Sequence, residues 1–258
     1  MRVLTRDPGR LHGHADGVFV GDLTIPESLK GACKDINQVF TCAGLAPVAG
    51  GETKTTFRQV NDYGNRALLA EAVAAGVERF GCVSPFGGMY MASIEYIRAH
   101  ESFAAQLKGS GLDYLIVRTT PFFSSFDDLI WDAQKGTVSL RGDGFATVNP
   151  VHEADLAALC VVAMAGKERE IDAGGPIVYT RLELAEMAFA AWDKPSKIRH
   201  VPQWTRALAG RFFRFRSSQQ SRDVSQFRLE SSLVDMVAPS HGELTLPEYF
   251  EALTASAA

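Results

Sequence analysis

The sequence predicts an α/β fold: a parallel sheet wound with helices on both faces, followed by a small, mostly helical region. Short apolar runs alternate with segments of helical periodicity through the first two thirds of the chain, which is the pattern of strands joined by helical crossovers. Beyond Pro121 the runs shorten and aromatic residues cluster, so a second region is expected there. With 258 residues, 46% of them hydrophobic, the chain can build a sizeable core.

The elements follow in order. Val3 to Thr5 reads as a short strand and Gly17 to Val20 as a second, ending at Gly21 and Asp22. Ile25 to Ala32 is predicted helical, with Thr24 as N-cap, Pro26 in the first turn and Gly31 near the end. Asn37 to Cys42 is the next strand, and Ala43–Gly44 turns the chain out of it. Apolar residues from Val60 to Ala75 fall on one helical face, closed by Gly76, and Phe80 to Ser84 is a further strand. A helix over Ile94 to Leu107 stops at Gly109, and Tyr114 to Arg118 returns as a strand. Then come a helix from Asp127 to Gln134, a strand at Val138 to Leu140 and a glycine turn at Gly142 to Gly144. A helix opens within Val151 to Asp155, a strand runs from Ile177 to Thr180, and a helix capped by Thr180 follows. The boundary is set at 1–150 for the core and 151–258 for the C-terminal region, interleaved with it.

Composition excludes several classes of function. A net charge of -4 leaves no global basic surface, so nucleic acid is not expected as a partner. Cys33, Cys42, Cys82 and Cys160 form no CxxC pair, which speaks against structural zinc or a disulfide framework and for reduced thiols. No apolar run reaches spanning length and no secretory leader is evident, so a cytoplasmic protein without an integral membrane segment is expected. His12 and His14 read as a solvated loop, and His152 with Asp155 lacks a third ligand at metal spacing. Arg211 to Arg216 alternates arginine with phenylalanine and reads as an amphipathic helix with snorkelling arginines.

Several segments together carry a family resemblance. They are Arg6-Asp7-Pro8 after a strand, Gly21-Asp22-Leu23, Val60 to Asn65 running into Leu68 to Ala72, Ala75 to Phe80, Ser84, Ser110 to Tyr114, Arg118 to Pro121, and Pro150 to Leu156. In this order they resemble the atypical short-chain dehydrogenase/reductases of the NmrA-like type, over nearly the whole chain. The resemblance implies a Rossmann-like, doubly wound sheet that binds NADP. It puts Arg6 at the 2′-phosphate, Asp22 and Leu23 beside the adenine, and the Ala43–Gly44 loop close to the cofactor. Thr120, Pro121 and Phe122 leave their strand past the nicotinamide. A guanidinium suits a phosphate through planar bidentate donation, whereas an NAD-specific site calls for a carboxylate on the ribose.

The same resemblance implies a catalytic serine at Ser84 and a Tyr/Lys pair four residues apart on a helix. Those positions are held by Tyr96 and His100, so the expected lysine is a histidine. The spacing puts both on one helical face, but an imidazole with an ordinary pKa near ~6.5 is a poor permanent cation. The bland reading, Tyr96 as a half-buried aromatic and His100 as a surface or packing residue, is favoured over a working pair. The chain also opens on what resembles the second strand of such a fold, so an N-terminally truncated sheet without the first strand and glycine-rich loop is expected, with weakened cofactor binding. The function expected is NADP-dependent reduction of a small or medium apolar carbonyl, enone or quinone-like acceptor, possible as a homo-oligomer. The alternatives are a non-catalytic NADP-binding sensor and an inactive truncated relative.

Overall fold

The computed structural model describes residues 1–11, 13, 15–47, 55–201 and 219–257. His12, His14 and the Arg211 to Arg216 stretch lie outside these residues. The centre is a parallel ladder in the order β3 (Gln38–Thr41), β4 (Arg79–Pro85), β5 (Asp113–Thr119) and β8 (Glu170–Ala173). A second parallel pair, β1 (Arg2–Thr5) and β2 (Gly17–Val20), runs in register from Arg2 opposite Gly17 to Thr5 opposite Val20. The two ladders share no strand pairing among the described residues. They are joined by side chains: the Arg2 guanidinium donates to the carbonyls of Ala32 and Lys34 at 3.1 and 2.8 Å, and Leu4 packs into the core under β3 and β4.

Both faces of the central ladder are covered, which is why its inner strands, β4 and β5, carry nearly continuous apolar interiors. Phe80, Cys82 and Ile116 point to one side, where α1 (Asn65–Ala75) lays down Leu68, Leu69 and Ala72 and α2 (Glu95–Lys108) lays down Phe103, Ala104 and Leu107. Leu115 and Val117 point to the other, against Leu156, Cys160, Ala163 and Met164 of α4 (Glu153–Ala165). Gly76 closes α1 in the left-handed conformation with φ 74°, as its sequence position predicts.

A third core belongs to the C-terminal region. It gathers Phe123 and Phe126, Ile130 of α3 (Asp127–Gln134), Val138 and Leu140 of β6 (Val138–Arg141), Leu184 and Phe189 of α5 (Arg181–Ala190), and Phe250 of α7 (Leu246–Ala257). Ile94 and Ile97, at the start of α2, join this core, whereas Phe103 to Leu107 join the sheet core. One helix therefore passes from one core to the other. Two small ladders complete the region: β7 (Thr147–Val148) antiparallel to β9 (Tyr179–Thr180), and β6 parallel to β10 (Ile198–Val201). Helix α6 (Gln219–Ser231) packs across α2.

Three sequence expectations change. Ile25 to Ala32 is not an α-helix but a 3-10 turn, Pro26–Leu29, followed by irregular turns. Thr24 does not cap it: both its amide and its hydroxyl donate to Asp22 Oδ1, at 2.8 and 2.7 Å. That local Asx bond competes with helix initiation and wins in so short a segment. The start of the Val60 helix is a π-helical stretch, Arg58–Gly64, before α1 begins. The expected strand Ile177 to Thr180 shrinks to β9, and the Thr180 cap stands, as a capping box with Glu183.

Candidate active site

The carboxyl ends of parallel strands are where open α/β sheets bind ligands, and the sequence-predicted residues gather along that edge in two groups. Arg6 and Asp22 meet at the ends of β1 and β2, with Arg6 Nη1 3.9 Å from Asp22 Oδ2. The Arg6 side chain is 74% exposed. Asp22 is held more firmly, accepting from Thr24 through Oδ1, and that bond together with Arg6 keeps its carboxyl below the usual range. Leu23 lies half-buried against Gly64, where an added Cβ would come within 2.8 Å of Leu23 Cβ, so the π-helix can approach only because it carries glycine there.

The second group surrounds the ends of β3, β4 and β5. Asn61 and Asn65, four residues apart in the π-to-α segment, face the exit of β3. Asn65 accepts from the Thr41 hydroxyl at 2.8 Å and donates to the Ala43 carbonyl at 3.0 Å. Asn61 accepts from the Leu45 amide at 2.6 Å and donates to its carbonyl at 3.3 Å. The Ala43–Gly44 loop is thus pinned from beneath by two buried carboxamides. An added Cβ on Gly44 would sit 3.6 Å from Asn61 and 4.0 Å from the His100 ring, ordinary contact distances, so the protein itself does not demand glycine there.

Tyr96 and His100 come together as their spacing predicts, ring centroids 4.8 Å apart and edge to face. They occupy the stretch of α2 that lies between the two cores. Phe57 and Phe227 enclose Tyr96 edge-on, at 5.2 and 4.8 Å. Burial pushes the Tyr96 phenol up to about 12 and pulls the His100 imidazole down to about 4. His100 Nε2 lies 3.0 Å from Asn61 Nδ2. At neutral pH both rings are uncharged.

Ser84 ends β4 on the same side as Phe80 and Cys82, by the period-two alternation of a strand, and so faces the layer that carries α2. Its hydroxyl is buried and has no hydrogen-bond partner among the described residues. Thr120 and Pro121 hold the exit of β5 in place. The Thr120 hydroxyl, fully buried, donates to the Asn149 carbonyl at 2.6 Å, and the Pro121 carbonyl accepts from the Val151 amide at 3.1 Å. Phe122 is half-buried beside α4.

Asn61 and Asn65 are the residues that sequence reasoning missed. Two carboxamides at i and i+4 on an otherwise apolar helical face were the available signal. A cleft of about 350 Å³ beside Phe57 is lined by Arg58, Glu95 and Asp223. No group of His, Cys, Asp and Glu among the described residues is arranged to hold a metal ion, and no described helix is long and apolar enough to cross a membrane. His152 uses Nδ1 to cap α4, accepting from the Ala154 amide.

The profile of the NAD(P)H-binding family matches residues 1–166, a stretch that contains both groups. The chain belongs to the NAD(P)H-binding family. None of the curated proteins matches this NAD(P)H-binding chain in sequence. Among solved structures, an NADPH-dependent quinone oxidoreductase from Escherichia coli in complex with NADPH is similar at a TM-score of 0.73 and 15% identity, over 92% of this chain and 83% of that one. A nucleoside-diphosphate-sugar epimerase from Staphylococcus aureus gives 0.71 and 15%, over 97% and 90%. A UDP-glucose 4-epimerase from Thermotoga maritima gives 0.63 and 16%, over 78% and 77%. At these identities the likeness is one of fold, and it agrees with the Rossmann-like reading. The residues present fit a nicotinamide dinucleotide: an exposed guanidinium for phosphate at one end of the strand edge, and an unpartnered buried hydroxyl toward the other.

Proposed function

We propose that this protein is an NADP-dependent oxidoreductase that reduces a small or medium apolar carbonyl, enone or quinone-like acceptor. The observation that carries the reading is the Ser84 hydroxyl, buried without a partner at the end of β4 on the side that faces the helix of Tyr96 and His100. Leaving a buried hydroxyl unpaired costs about 1–3 kcal/mol. Such a group is retained where a ligand completes it.

The bound cofactor would supply the hydride. Arg6 would take the 2′-phosphate, since its donors are exposed and its partner Asp22 is already engaged by Thr24. The Ala43–Gly44 loop, pinned by Asn61 and Asn65, would give the dinucleotide a rigid backbone to lie against. Ser84 would donate to the acceptor oxygen as negative charge develops there. Tyr96, protonated throughout the physiological range, would be the second donor. The Thr120 and Pro121 bonds fix the strand exit so that Phe122 keeps its place at the apolar wall. In this reading residues 1–150 bind the cofactor and 151–258 supply the substrate side.

The test is NADPH consumption by the purified chain with a panel of aldehydes, enones and quinones, with the Ser84→Ala variant alongside. Turnover that falls about 100-fold in Ser84→Ala, with thermal stability unchanged or raised, is the expected result. A folded protein that binds NADPH but oxidises none of it would reject the enzyme reading. It would favour a cofactor-sensing regulator, to which the uncharged His100 in place of a lysine is also suited.

A further inference from the structure

We propose that Asn61 is a positioning residue that fixes His100 as a neutral imidazole carrying its proton on Nδ1, so that His100 serves the site as an uncharged hydrogen-bond donor. The inference rests on the reading above only in assigning that donor to a reaction. The tautomer itself follows from geometry. Asn61 is fully buried, and its carboxamide is oriented by Leu45: the oxygen accepts from the Leu45 amide at 2.6 Å and the nitrogen donates to the Leu45 carbonyl at 3.3 Å, so the flip that would turn the oxygen to His100 would break both bonds. The nitrogen is the atom turned to His100, at 3.0 Å from Nε2. An N–H aimed at a ring nitrogen requires a lone pair there, which leaves the ring proton on Nδ1. Protonating Nε2 would set two N–H groups against each other.

Among the described residues, the surroundings offer nothing to hold a cation. On α2 itself, Glu95 is paired with Arg58 and Arg98, and Glu101 faces Arg118. On the π-helix, Asp62 is paired with Arg66. On α6, Asp223 accepts from Gln219. Tyr96 meets the ring edge to face and stays protonated. Burial alone acts on the imidazole, and it favours the uncharged form.

The experiment is a pH titration of the histidine side chains by long-range ¹H–¹⁵N NMR on the full chain without cofactor, with His100 assigned through His100→Gln. In the wild type, His100 is expected to show the Nδ1–H tautomer and no titration between pH 5 and 8. Asn61→Asp keeps the shape and the acceptor for Leu45 but turns a carboxylate to Nε2. It is expected to raise the proton affinity of His100 by about 10- to 1000-fold and to add an inflection to the kcat/KM profile that the wild type lacks. An Nε2–H tautomer or titration near the ordinary histidine range in the wild type overturns the proposal without any variant. So does an Asn61→Asp spectrum in which His100 titrates as before. Because the spectra need no turnover, failure of the oxidoreductase reading would appear separately, as absent NADPH oxidation with the tautomer intact.

Discussion

Lowering the pH from 7 to 4 should cost this protein stability through His100 in particular. In the unfolded chain the imidazole takes up a proton near 6.5, whereas in the folded protein burial delays uptake until about 4. The folded value lies below the unfolded one, so the unfolded state binds the proton first, and stability present above pH 6.5 is lost as pH falls towards 4. Each pH unit in that window is worth 1.36 kcal/mol, so the full span amounts to roughly 3 kcal/mol at its acid end. Asp127 and Asp223 contribute with the opposite sign, because burial raises their carboxyls and protonation then favours the fold. Comparison with His100→Gln cancels them. Urea unfolding of both proteins from pH 7 to 4 is expected to give free energies that diverge below 6.5, the wild type losing about 3 kcal/mol more than the variant. Parallel curves would refute the argument, since a histidine that charges freely in the folded state has no delay to pay for.

Other consequences can be measured in the same preparation. Arg6→Ala should weaken NADPH by about 10- to 100-fold, the value of one charge-assisted phosphate contact, while leaving NADH unchanged in calorimetric titration; equal loss for both would remove Arg6 from the 2′-phosphate. Gly64→Ala places a Cβ 2.8 Å from Leu23 Cβ and 3.0 Å from its carbonyl oxygen, and should destabilise by about 1–3 kcal/mol in urea. Arg79, buried at the start of β4, donates to the carbonyls of Ala163 and Glu168 at 3.3 and 2.6 Å. Arg79→Met should cost about 3 kcal/mol for those two charge-assisted bonds, whereas Asp113→Asn, which removes the half-exposed carboxylate that pairs with Arg79 Nη1, should cost less than about 1 kcal/mol.

What could be read from the sequence was what periodicity encodes. Helix α3 lies where its pattern puts it, and α1, α2, β4 and β5 agree to within a few residues, because each buries a continuous apolar face. Strand β8 escaped notice because Glu170 and Asp172 alternate with only Ile171 and Ala173, a half-buried edge too short and too charged to announce itself. The Ile25 turn was misread because its competing Asx bond is a matter of side-chain geometry. At the site, the meeting of Arg6 with Asp22 and of Tyr96 with His100 follows from strand ends and helical spacing. The role of Asn61 does not, since it depends on which atom of a carboxamide faces which nitrogen across 39 residues of chain.

The uncharged state of this donor set bears on which acceptor it would serve. Hydride transfer to an isolated aldehyde leaves an alkoxide, a strong base that must receive a proton in step with the transfer. A quinone instead leaves a phenolate, whose basicity resembles that of tyrosinate, near ~10, and an enone spreads the charge over an enolate. In the proposed reading, Ser84, Tyr96 and neutral His100 would stabilise such delocalised charge by hydrogen bonding alone. With Tyr96 at about 12 and no cation beside it among the described residues, proton delivery to an alkoxide would have no partner to stabilise the tyrosinate left behind. Within the acceptor panel, quinones and enones should therefore outpace unconjugated aldehydes of similar size in kcat/KM. His100→Lys, which restores a cation four residues after Tyr96, should narrow that gap by raising the aldehyde rates. Aldehydes faster than quinones in the wild type, or a gap that His100→Lys leaves unchanged, would mean that the charge state of His100 does not govern the choice of acceptor.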